Sequence, residues 1–286
     1  MTPDLSPTPP TRKNVDQAIT PTHAFDAAIA LSPTGDDTYG GQTHPAYGNM
    51  VGPFGGTIGA TLLNAIMCHP QRLGEPVSLT VHYAAPIADG GFVVHARRMR
   101  TSRSTQHWLV ELVQGDETAA FATAVTANRR DTWGATDVAF PAAPPADSIA
   151  RAQPIERAAW TACYDMRFIE GGPGATDGGD NTSQSQLWIR DQPPRPLDYL
   201  SLAAICDAFF PRIFVRRPKW VPIGTVALTT YFHADPAELG DVGANPVLGV
   251  ARGLHFGKGF FDQSAEVWSA AGILLATSHQ VVYYKE

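Results

Sequence analysis

Twice along 286 residues, a segment made almost wholly of small and apolar side chains is followed by a train of alternating, β-branched runs. The first such segment is "FGGTIGATLLNAIMCHP" at 54–70, ended by Pro70, and the second is "PLDYLSLAAICDAFFP" at 196–211. Both read as helices that are apolar all round, and such a helix has to be surrounded. The runs behind each helix can do that. Behind the first stand "PVSLTVHYAAP", "FVVHARRMRTS" and "STQHWLVELVQGDETAAFATAVTANRR", with Gly115-Asp116 at a turn. Behind the second stand "GTVALTTYFHAD", "VLGVARGLHF" and "SAEVWSAAGILLATSHQVVYYKE", with Ala271-Gly272 at a turn. Antiparallel strands joined by short turns can curve into a sheet that wraps one helix. The halves share the order of elements and little sequence identity, so the repeat is one of pattern.

This pattern divides the chain. Residues 1–22 are rich in Pro and Thr and read as a flexible tail, 23–130 as the first half, 131–186 as a linker and 187–286 as the second half. Within the linker, "EGGPGATDGGDNTSQSQ" at 170–186 is Gly-rich and polar, and a short structured piece is expected around "IERAAWTACYDMRFI". Hydrophobic residues at 44% and charged residues at 17% are a globular composition. A net charge of −6 without a long basic run argues against nucleic acid or an anionic membrane surface as partner. No uncharged apolar run reaches ~18 residues, so no membrane span is expected. The stretch "MTPDLSPTPPTRKN" has no apolar core of the signal-peptide kind. Cys68, Cys163 and Cys206 lie far apart with no CxxC, which fits a reducing, cytoplasmic setting.

Asp207 interrupts the second apolar segment. In a helix running through it, Leu200, Ala203, Ala204 and Asp207 fall at i, i+3, i+4 and i+7, which puts a carboxylate on an apolar stripe. Burial raises a carboxylate pKa toward useful basicity. Asp207 is therefore either a base for water or a structural charge paired with an arginine or a backbone amide. The nine histidines include His82, His95, His107, His233, His255 and His279, scattered singly on strands, with no HExxH, and no metal site is expected. The glycines of "YGNMVGPFGGTIGA" do not follow a strand in a βαβ unit, so no dinucleotide cofactor is expected; Gly55 and Gly56 read as a tight entry into the first helix. GxSxG is absent, and with it the nucleophile elbow of a serine hydrolase.

Helix then long strands, twice in one chain, resembles the double hot-dog fold. That is an α+β architecture in which two antiparallel sheets, each wrapped around a long central helix, form one continuous sheet. The segments "FGG" at 54–56, "LWIRDQPPRPLDYLSLAAICDAFFP" at 187–211, "IGTVALTTYFHAD" at 223–235 and "LLATSHQVVYY" at 274–284 resemble the acyl-CoA thioesterase II family of the bacterial TesB type. The likeness covers most of 38–130 and 187–286. "FHADPAELGD" departs from it, carrying extra residues against an "FHRP"-like segment. The resemblance implies hydrolysis of acyl-CoA thioesters to free carboxylic acid and coenzyme A, in fatty acid metabolism. In that family an Asp on the second central helix, a Thr on the following strand and a Gln on the last strand hold the catalytic water. Position by position these are Asp207, Thr225 and Gln280.

That trio suits the reaction without metal, cofactor or covalent intermediate. A water must be placed against the carbonyl carbon, a base must take its proton, and donors must meet the oxyanion. Thr225 offers a hydroxyl, and Gln280 an amide that can donate to Asp207 and accept from water. The oxyanion donor is expected to be a backbone N–H at a helix N-terminus. Arg97, Arg98, Arg100 and Arg103 are a solvated strand face or a site for coenzyme A phosphates. Phe209 and Phe210 read first as core and second as walls of an acyl pocket. In the first half Asn64 aligns with Asp207 and Thr126 falls near the place of Gln280, so one active site, in the second half, is expected. Exposed sheet edges point to a homo-oligomer. Two other functions stay open: a double hot dog that binds acyl chains without hydrolysis, and a hydratase or dehydratase, which would want a histidine base that the helix around Asp207 lacks.

Overall fold

A computed structural model describes residues 23–173, 182–217 and 219–286. The expected tail at 1–22, and 174–181 of the Gly-rich stretch, lie outside the described residues. The first half contains α1 (Ala24–Ala28), β1 (Ser32–Gly35), β2 (Thr38–Gln42), α2 (Gly55–Met67), β3 (Glu75–Tyr83), β4 (Gly91–Thr101), β5 (Thr105–Gln114) and β6 (Glu117–Ala127). The second contains β7 (Tyr164–Glu170), β8 (Ser185–Asp191), α3 (Tyr199–Ile205), α4 (Arg212–Arg216), β9 (Ile223–Phe232), α5 (Pro236–Val242), β10 (Val247–Arg252), β11 (Phe256–Gly257), β12 (Phe260–Trp268) and β13 (Leu274–Tyr284).

Among the described residues the strands form one antiparallel sheet in the order β1-β2-β4-β5-β6-β3-β9-β13-β12-β10-β8-β7, with β11 beside β12. This is the double hot-dog arrangement expected from the sequence. The halves meet where β3 pairs with β9, Thr80 lying opposite Thr229 with their hydroxyls 3.0 Å apart. Strand burial follows the alternation. On β5, Gln106, Trp108, Val110 and Leu112 point inward, and on β13 so do Ser278, Gln280 and Val282. Leu62, Leu63, Ala65 and Ile66 of α2 are fully buried beneath the first half-sheet. Turns stand at Gly115-Asp116 and Ala271-Gly272, as the sequence suggests.

Two expectations need correction. The second central helix is short: α3 ends at Ile205, and Asp207 lies just beyond it. There the chain tightens, Asp207 N–H bonding to Ala204 O at 3.1 Å and Ala208 N–H to Ile205 O at 2.9 Å. Pro211 supplies the physical reason, because it has no N–H for the ladder and disfavours helical backbone at Phe210. The chain then restarts as α4, with Pro211 as its N-cap. The stretch 131–186 also does more than connect. It contributes β7, paired antiparallel to β8. Its Trp160 ring stacks on Phe54 at 4.1 Å, and earlier residues run along β8, where Trp188 Nε1 donates to Pro144 O at 2.8 Å.

Candidate active site

The site is built where the end of α3 meets the start of α2. Gly56 lets the two helices cross closely, since a Cβ there would lie 2.6 Å from Ala204 O. Gly55 leaves room for Asp207, whose Oδ2 would be 2.6 Å from a Cβ at that position. The "FGG" motif is therefore the surface on which the Asp207 carboxyl rests. Tyr83, from the end of β3, closes this wall by donating its hydroxyl to Gly55 O at 3.0 Å. The residues around Asp207 thus come from both halves of the chain.

Asp207 is partly open to solvent, yet densely surrounded. Burial pushes its carboxyl up to about 7, against the opposing pull of the Gly56 backbone N–H. Among the described residues no cation stands against it. The chain does hold a buried arginine, Arg212, but its guanidinium donates to Gln263 and to the carbonyls of Ser183, Ala251 and Phe210. Of the two structural readings of Asp207, pairing with a buried arginine is thereby removed, whereas the backbone-amide contact is present in the Gly56 N–H.

Thr225 and Gln280 lie on adjoining strands that share an inward face. Along β13 the inward residues are Ala276, Ser278, Gln280 and Val282, opposite Phe232, Thr230, Leu228 and Thr225 of β9. A bulge at Val226 turns Thr225 onto that face, because the extra residue shifts the alternation by one. The end of α3 is fastened over the same face by the Ser278 hydroxyl, which donates to Cys206 O at 3.3 Å. Asp207 is the next residue. Among the described residues no hydrogen bond joins any two of Asp207, Thr225 and Gln280 directly.

The first half keeps the frame and changes the side chains. Its bulge at Val77 matches the one at Val226, with Pro76 opposite Thr126 as Thr225 is opposite Val282. That register places Pro76 at the position of Thr225 and Ala124 at the position of Gln280. Thr126 is thus two residues from where the sequence alignment put it, and its hydroxyl accepts from Trp108 Nε1 at 3.2 Å. Asn64 donates to Ile29 O at 2.8 Å.

Other sequence features fall elsewhere. Arg97 pairs with Glu111 at 2.9 Å, and Arg98, Arg100 and Arg103 are exposed near the β4–β5 turn. That turn lies at the Glu75 end of the half-sheet, whereas Asp207 lies near Tyr83 at the far end of β3. Phe209 is core, packed on Gly249, while Phe210 joins Ile213, Phe214, Phe261 and Val282 in a separate cluster beside Thr225. His233 is exposed and meets the Thr277 hydroxyl at 2.9 Å. A cavity of about 260 Å³ opens on the outer sheet face, against Tyr231, Arg252, Glu266 and His279, opposite the face that carries Gln280. Sequence reasoning missed the contact of Gly55 and Tyr83 with the site, which arises only when the halves pack.

Comparison with known proteins agrees with this frame. The acyl-CoA thioesterase N-terminal domain family matches residues 44–127, and the acyl-CoA thioesterase C-terminal domain family matches 122–284. A solved hot-dog protein of unknown function from Alicyclobacillus acidocaldarius is 46% identical, with a TM-score of 0.89, covering 93% of this chain and 99% of that one. The acyl-CoA thioesterase II TesB2 of Mycobacterium marinum shares the fold at 19% identity and a TM-score of 0.75, covering 92% of this chain and 98% of its own. No curated protein matches the sequence. With more than half of its residues inside the C-terminal domain family and residues 44–127 inside its N-terminal counterpart, the chain belongs to the acyl-CoA thioesterase family.

Proposed function

We propose that the protein hydrolyses acyl-CoA thioesters at one site per chain, with Asp207 as general base and Thr225 and Gln280 orienting the attacking water. The observation that carries this reading is the seat of the Asp207 carboxyl against Gly55 and Tyr83, where among the described residues no cation meets it and burial pushes it up to about 7. A carboxylate of that basicity can take a proton from water near neutral pH. As the proton moves to Asp207, the water oxygen bonds to the thioester carbonyl carbon and the C=O pair moves onto oxygen. The oxyanion is met by the backbone N–H of Gly55 at the start of α2, since the N–H groups of Thr57 and Ile58 bond to Phe54 O and that of Gly56 meets Asp207. Collapse restores the C=O bond and expels the thiolate, which takes its proton from Asp207. The products are the free acid and coenzyme A, and the carboxylate is regenerated.

The acyl chain is placed against the cluster of Phe210, Phe214, Phe261 and Val282, which adjoins Thr225. We place the protein in the cytoplasm, in fatty acid metabolism; its cysteines are free among the described residues. A homo-oligomer would cover exposed Tyr231, Val281 and Phe260. The test is thiol release from a panel of acyl-CoAs of increasing chain length, followed with a thiol reagent. Release matched by free acid supports hydrolysis. Tight binding of the panel without release would make the protein a carrier, and loss of enoyl absorbance from an enoyl-CoA would make it a hydratase.

A further inference from the structure

Gln280 has a buried polar neighbour that no family motif names. Directly opposite it, on β12, stands Gln263, and both side chains point inward and are buried, at 6% and 1% exposure. Each leaves one amide atom buried and unpaired: Oε1 of Gln280 and Nε2 of Gln263. These are complementary, an acceptor facing a donor across one strand pair, where opposed Cβ atoms are ~5 Å apart. The orientation of Gln263 is not free. Its other amide atom meets Nε of Arg212 at 2.9 Å, and a guanidinium has only donors, so that atom is the oxygen. Arg212 is itself fully buried, and the carbonyls of Ser183, at 2.8 Å, and Ala251, at 3.1 Å, fix its fork together with that of Phe210.

We infer that Gln263, oriented by Arg212, is a positioning residue that engages the Gln280 carbonyl oxygen and so makes Gln280 an N–H donor toward the reacting groups. Donor and acceptor types alone decide the orientation. Arg212 can only donate, so Gln263 presents its oxygen to Arg212 and its N–H₂ to Gln280. Gln280 then has only its own N–H₂ left for Asp207, the water or the developing oxyanion. This inference rests on the proposed role of Gln280 and deepens it, because an amide that could rotate would offer oxygen or nitrogen at random.

The test is Gln263→Glu. Glutamate keeps an acceptor for Arg212, and adds its counter-charge, but has no N–H for Gln280. Gln280 would then turn its N–H₂ toward the introduced carboxylate and present oxygen to the site. The expected result is a kcat about 10- to 100-fold lower, the scale of losing an outer-shell partner, with KM within about 3-fold. The melting temperature stays equal to wild type or rises. Gln263→Met, which also lacks the N–H, should lower kcat similarly and keeps the test open if the glutamate variant misfolds. A double-mutant cycle separates positioning from general structural damage. In a Gln280→Ala background, Gln263→Glu should change kcat less than about 2-fold, since its effect runs through Gln280. Wild-type kcat in a folded Gln263→Glu protein, or an equal further loss in the Gln280→Ala background, overturns the inference. Wild-type activity of Asp207→Asn or Gln280→Ala would instead overturn the catalytic reading beneath it.

Discussion

Replacing Asp207 by Asn separates chemistry from stability, and the structure sets the size of both effects. The carboxyl lies near 3.8 in an unfolded chain and is pushed up to about 7 in the folded one, mainly by burial. A folded-state pKa raised in this way means that the native protein holds the proton more tightly. Stability tied to Asp207 is therefore fully present below about pH 4 and is lost as pH rises through about 7. At about 1.4 kcal/mol per pH unit the loss amounts to up to about 4 kcal/mol by pH 8. Asparagine keeps the shape and cannot ionise, so it escapes that loss. Asp207→Asn should therefore match wild type at pH 4 and exceed it at pH 8, by up to about 8 °C if each kcal/mol is worth about 2 °C in a chain this long. Asp191 is also raised by burial, but it titrates in both proteins and cancels in the difference. The same substitution removes the base, so thiol release should fall by at least 100-fold, while wild-type kcat/KM climbs with pH through about 7. Melting curves at pH 4, 6 and 8, with initial rates on the same samples, check both halves. An asparagine variant that is less stable than wild type at pH 8, or one whose advantage does not change with pH, would refute the argument that burial sets the basicity of Asp207.

Other perturbations act on the same geometry. Gly55→Ala drives a methyl group to 2.6 Å from Asp207 Oδ2, so it should cut kcat at least about 10-fold in a protein whose far-UV circular dichroism is unchanged. Thr225→Ala and Gln280→Ala should each lower kcat by about 10- to 1000-fold, and the double variant should lose far less than the product of the two, as rate measurements on all three will read. Asn64→Ala should leave turnover within about 3-fold while costing about 1 kcal/mol in urea unfolding, through the lost bond to Ile29 O.

Much of this molecule is legible in its sequence, and the rest is hidden for identifiable reasons. Strands such as β5 can be read because Gln106, Trp108, Val110 and Leu112 alternate with outward residues. The end of α3 is misread because Leu200, Ala203, Ala204 and Asp207 keep helical spacing past the true end at Ile205, and only Pro211 signals the stop. Strand β7 is hidden because "YDMRFIE" mixes charges into a short run beside a Gly-rich stretch. Asp207 stands out as a charge in an apolar run, whereas Thr225 and Gln280 are ordinary strand residues singled out only by the family resemblance. Arg212 carries the same signal as Asp207, a lone charge in "FFPRIF", and could have been found by the same reasoning. Gly55 could not, because its neighbour lies about 150 residues away in sequence and meets it only through the close crossing of α2 and α3.

The central claim is that Asp207 activates water and does not itself attack the thioester. Single-turnover hydrolysis of an acyl-CoA in ¹⁸O-labelled water, with enzyme in excess, tests it most directly. The account predicts free acid carrying one labelled oxygen in the first turnover, thiol released in equal amount, and no label in the peptide that contains Asp207. Unlabelled first-turnover acid with ¹⁸O in the Asp207 carboxyl would contradict it, since that pattern requires a covalent acyl-aspartyl intermediate.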